Sequence, residues 1–60
     1  MSRARLQLMI DKLKIEVDND RVNNDWASTF ICDMYNKSKI DHYTFSTKQI
    51  DRIEELFERY

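Results

Sequence analysis

The residues best suited to covalent chemistry are Cys32, His42 and Asp41, which have the types of a nucleophile, a base and an orienting carboxylate. Catalysis by such a trio also needs a cleft that excludes water and donors fixed at the oxyanion position. Short helical segments rarely build such a cleft, and the chain has no glycine for close backbone approaches or for a glycine-rich phosphate loop. We therefore predict that the chain is not an enzyme.

Metal ligands are equally sparse in this sequence. A structural zinc site takes four ligands, usually in closely spaced pairs, and the chain offers one cysteine and one histidine. The acidic cluster near the end of the chain lacks the glycine and the alternating oxygen ligands of a calcium loop, and is predicted to be a solvated helix face: Asp51, Glu54, Glu55 and Glu58. We predict neither a metal nor a cofactor.

Length and composition limit the remaining classes. The chain has 60 residues, of which 42% are apolar and 35% charged, which is too apolar for a disordered chain and too charged for a membrane protein. A single cysteine excludes an internal disulfide and favours a reducing cytoplasm. A domain this short buries only about 60% of its unfolded surface. Oligomerisation or a partner protein is therefore a candidate source of stability.

Hydrophobic periodicity and capping residues predict an all-α domain. Apolar residues recur at helical spacing in three segments, near residues 3–17, 25–37 and 47–58. Ser2 and Asn24 are suited to cap the first two helices, and Ser46 with Gln49 forms a capping box before the third. One alternative stays open, because apolar and polar residues alternate over 13–18 as in an edge strand.

The apolar faces of these segments predict a small three-helix core, which dimerisation could complete. The expected core residues are Leu6, Ile10, Leu13, Phe30, Ile31, Met34, Ile50, Ile53 and Phe57. The connector after the second helix is unusually apolar because it contains Ile40, Tyr43 and Phe45. We expect it to pack across the helices.

The first segment also carries apolar residues opposite its main face. Leu8, Ile15 and Val22 are seven residues apart, and Trp26 beside them is a typical interface anchor. A helix that is apolar on two sides must be sandwiched or must bind a partner. We predict that Leu8, Ile15, Val22 and Trp26 form a partner-binding surface. The alternative is that Ile40, Tyr43 and Phe45 cover the second stripe within the monomer.

Basic residues offer a second surface that would contact phosphates: Arg3, Arg5, Lys12, Lys14, Lys37 and Lys39. They are interleaved with acidic residues, and ten Lys and Arg against eleven Asp and Glu leave a net charge of −1. A helix-turn-helix is disfavoured, because phosphates would repel the acidic cluster of its recognition helix. Nucleic-acid binding is kept as the alternative function.

The second half of the chain resembles a small helical module of phage and plasmid accessory proteins. The resemblance covers residues 25–60 and rests on Trp26 and Phe30 as W-x3-F, followed by Ser46-Thr47-Lys48-Gln49 as S-x-K-Q and an amphipathic helix. It implies a phage-type context and a helical interaction role, with no catalytic residue.

Together these patterns predict a small non-enzymatic regulator or inhibitor in the cytoplasm, which for a viral protein is the host cytoplasm. It would bind a host or phage protein, associate with itself, or do both. The expected mechanism is occlusion, in which apolar side chains enter a groove of the partner and acidic residues at the rim set specificity. The alternative is an accessory protein of DNA or RNA metabolism.

Overall fold

The computed structural model describes residues 2–60 and contains three helices: α1 (Arg3–Asp18), α2 (Asp25–Ser38) and α3 (Thr47–Arg59). No strand is present within these residues, so the predicted all-α fold is confirmed and the strand alternative for 13–18 is wrong. The three helices form a body of 30 × 19 × 17 Å.

Each helix begins directly after the N-cap residue that the sequence predicts. The Arg5 N–H donates to Ser2 Oγ at 3.2 Å, and the Ala27 N–H donates to Asn24 Oδ1 at 3.0 Å. The capping box of α3 is complete, with the Gln49 N–H to Ser46 Oγ at 3.2 Å and the Ser46 N–H to Gln49 Oε1 at 2.8 Å. These bonds satisfy N–H groups that would otherwise lack partners, and they fix where each helix starts.

The end of α1 is a Schellman turn built without glycine. The Arg21 N–H donates to the Glu16 carbonyl at 2.9 Å, and the Asp20 N–H donates to the Val17 carbonyl at 3.0 Å. Asp20 occupies the left-handed position with φ 60°, which glycine fills at lower cost. The Arg21 guanidinium also pairs with the Glu16 carboxylate at 3.3 Å, which ties the turn to the helix surface. The chain therefore leaves the α1 axis at residue 19.

The core lies between α1 and the other two helices, because α1 packs closely against both, whereas α2 and α3 approach each other less closely and meet through side chains. Of the predicted core, six residues are buried: Leu6, Ile10, Leu13, Ile31, Met34 and Ile53. Phe30, Ile50 and Phe57 are only partly buried, at the edge of the core. Five further residues are buried that the predicted core did not include: Met9, Val22, Ala27, Phe45 and Leu56.

The connector between α2 and α3 packs at the beginning of α1. Phe45 is buried, and Arg3 lies over its ring at 5.2 Å while donating to the Tyr43 carbonyl at 3.1 Å and the Ser38 carbonyl at 3.3 Å. Ile40 remains 54% exposed. The connector is thus held against one end of the α1 helix and does not cover its outer side.

Candidate protein-binding surface

The outer stripe of α1 consists of Leu8 and Ile15, which are 69% and 55% exposed. They lie on the side of the helix opposite the buried residues Leu6, Ile10 and Leu13. The alternative that connector residues cover this stripe is wrong, since both side chains remain open to solvent. The structure therefore leaves α1 apolar on two sides, with one side packed and the other free.

Charged residues border the outer stripe asymmetrically. Asp11 and Asp18 lie along the border nearer α2, which we call the acidic edge, and Arg5 and Lys12 lie along the border nearer α3, which we call the basic edge. Contacts fix this orientation: Lys14, beside Asp18, lies over the Tyr35 ring of α2 at 5.4 Å, and Lys12 lies over the Phe57 ring of α3 at 5.9 Å. Each edge also carries a charge of the other sign, since Glu16 lies 3.6 Å from Lys12 Nζ and Lys14 Nζ lies 2.6 Å from Asp18.

The hydrogen-bond partners of the two central edge residues differ. Asp11 Oδ1 accepts from the neutral Gln7 amide at 2.9 Å. Lys12 Nζ lies 3.6 Å from Glu16 Oε1 and donates to the Tyr60 carbonyl at 3.3 Å. A lysine ammonium has three donors, so Lys12 keeps capacity for one more acceptor.

Val22 does not extend the outer stripe, which corrects the sequence prediction. It is 8% exposed and belongs to the core cluster. The spacing of seven residues from Ile15 would place it on the outer side only if the helix continued. Because the turn at Asp20 redirects the chain, Val22 points inward instead.

Trp26 is 56% exposed but lies on a different side of the molecule from the outer stripe. Its ring stacks on Phe30 with centroids 5.4 Å apart and planes 8° apart, and the Arg52 guanidinium of α3 lies 5.2 Å from it. Phe30 in turn lines the interior beside Ile53 of α3. Trp26, Phe30 and Arg52, which we call the tryptophan surface, therefore belong to the side where α2 and α3 approach each other. The structure brings Leu8 and Ile15 together and places Trp26 elsewhere.

The predicted basic surface is largely engaged within the chain. Lys14 Nζ lies 2.6 Å from Asp18 Oδ1, and Lys37 Nζ lies 3.0 Å from Asp33 Oδ2. Arg3 is bound to connector carbonyls, as described above, and Lys12 is paired with Glu16. Lys39 lies over the Tyr35 ring at 4.8 Å. Of the six basic residues, Arg3, Arg5 and Lys39 take part in no ion pair among residues 2–60, and Arg3 is held by the connector carbonyls.

Two of these pairs perturb the lysine pKa values. The hydrogen bond to Asp18 raises the pKa of Lys14 above its usual 10.5, against a smaller opposing effect of burial. The hydrogen bond to Asp33 raises the pKa of Lys37 in the same way. Both lysines are therefore charged at neutral pH, and a carboxylate already compensates each of them.

The residues considered for covalent or metal chemistry do not form a site. Cys32 is half-buried on α2, while His42 is exposed in the connector with φ 67°. Within residues 2–60, no group of three or more Cys, His, Asp or Glu side chains is arranged to hold a metal ion. A concavity between Leu13, Phe30 and Ile53 leaves no room for a water molecule.

Comparison with known proteins finds no family model that matches this chain, and no similar curated protein or solved structure. The resemblance of residues 25–60 to the phage and plasmid module stays a prediction based on its motif. The helices within residues 2–60 are each too short and too polar to cross a bilayer.

The sequence did not predict that the outer stripe and the tryptophan surface are two separate exposed regions. Nothing in the sequence pairs Arg52 with Trp26, because their contact depends on how α3 crosses α2. The charge asymmetry of α1, by contrast, is present in the sequence once the outer stripe is known, since Asp11 and Lys12 fall on opposite sides of Leu8 at helical spacing.

Proposed function

We propose that this chain is a small non-enzymatic accessory protein that binds a protein partner through the outer stripe of α1. The supporting observation is that Leu8 and Ile15 remain 69% and 55% exposed on a helix whose opposite side is already packed. Burying one such aliphatic side chain stabilises a complex by about 1.5–3 kcal/mol. Two of them, one above the other on a rigid helix, form a compact anchor for an apolar groove or helix face.

The phage-type regulatory role implied by the resemblance is part of this proposal. A helix inserted into an apolar groove acts by occlusion, because it occupies the surface that another ligand of the partner would use. The two charged borders of the stripe favour a partner with charges of both signs at its rim. This differs from the acidic rim that the sequence predicted, since Arg5 and Lys12 supply the basic edge.

Site-specific photo-crosslinking tests the proposal. A photoreactive residue replaces Ile15 in one variant and Ile40 in a control, two isoleucines with nearly equal exposures of 55% and 54%. In an extract of the cells that express the chain, we expect a discrete protein adduct from position 15 that is absent from position 40. Adding Leu8→Glu should abolish it. Absence of any protein adduct at position 15, including one to the chain itself, would overturn the proposal.

The nucleic-acid alternative has less support. Three of its six basic residues are paired with carboxylates, and a fourth, Arg3, binds backbone carbonyls. A titration against single- and double-stranded DNA at two salt concentrations tests it, because phosphate contacts give a strong salt dependence. We expect no salt-sensitive binding, and a steep dependence that is lost in Arg5→Ala and Lys39→Ala variants would favour the alternative.

A further inference from the structure

We draw no further inference here: the strongest candidate, the exposed tryptophan surface of Trp26, Phe30 and Arg52 where α2 and α3 approach each other, has Glu55 beside Arg52 and so carries charges of both signs, and nothing among residues 2–60 shows what covers it.

Discussion

Leu13 and Leu8 stand on the same helix, yet Leu13 is 1% exposed and Leu8 is 69% exposed. The inner side of α1 contacts both other helices, whereas its outer side carries side chains of the same kind with no cover. Apolar character alone therefore does not identify a core residue in this chain. What separates the two sides is that α2, α3 and the connector all pack against one of them, and the other side is left exposed.

The largest expected difference between the two sides is in stability. Leu13→Ala removes a fully buried side chain and leaves a cavity, which costs about 2–5 kcal/mol. Leu8→Ala removes an exposed side chain and should change the free energy of unfolding by no more than about 0.5 kcal/mol. Urea denaturation of both variants, followed by circular dichroism, measures this contrast. Similar losses from the two substitutions would show that the outer stripe is packed within the monomer.

A substitution in the tryptophan surface should cost less stability than Leu13→Ala and more than Leu8→Ala. Trp26 is as exposed as Ile15, but it contacts Phe30 and Arg52 within the chain. Aromatic stacking and a cation–π contact each contribute about 0.5–1.5 kcal/mol, so Trp26→Ala should destabilise the fold by about 1–2 kcal/mol. Ile15→Ala serves as the control and should have almost no effect in dilute solution. A neutral result for Trp26→Ala would place that residue in the same class as the outer stripe.

The turn at Asp20 sets where the outer side of α1 ends, and it can be strengthened. Asp20→Gly removes the cost of a left-handed residue that has a side chain, and should raise stability by about 0.5 kcal/mol. Asn19→Gly is the matched control, because Asn19 has φ −91° and gains nothing from glycine. Thermal unfolding should show a higher Tm for Asp20→Gly and a lower one for Asn19→Gly. The opposite order would contradict the role of this turn.

The smallest expected effect on stability comes from the Lys14–Asp18 ion pair, which lies between the inner and outer sides of α1. The folded pKa of Lys14 is raised, so its contribution to stability is fully present below about pH 10.5 and is lost as the pH rises through the folded pKa. The Tm advantage of the wild type over Lys14→Gln should therefore be small near neutral pH and vanish once the pH has risen past the folded pKa of Lys14. An advantage that persists at high pH would indicate packing of the lysine stem instead.

Local signals in the sequence predicted the helices well. Ser2, Asn24 and the Ser46 capping box act through residues three positions away, so their contacts do not depend on the tertiary structure. The helices consequently begin where these residues place them. Each helix ends one residue beyond its predicted end, which is the usual uncertainty of a boundary.

Which apolar residues are buried depends on how the helices pack, and the sequence did not predict this fully. Val22 continues the spacing of Leu8 and Ile15, but the turn at Asp20 sends it into the core. Phe30 and Phe57 lie on apolar faces, yet they end at the edge of the core because α2 and α3 pack on α1 more than on each other. The exposure of Leu8 and Ile15 was predictable as a surplus, while its separation from Trp26 required the crossing of α2 and α3.

The central position of α1 has a consequence for how the domain is made. Since α2 and α3 pack mainly on α1, the domain core is complete only when all three helices are present. Before α2 and α3 pack on it, α1 presents apolar residues on both sides to its surroundings. A nascent chain in that state exposes the kind of apolar surface that chaperones bind, and a fragment lacking α1 would keep only the few contacts that join α2 directly to α3.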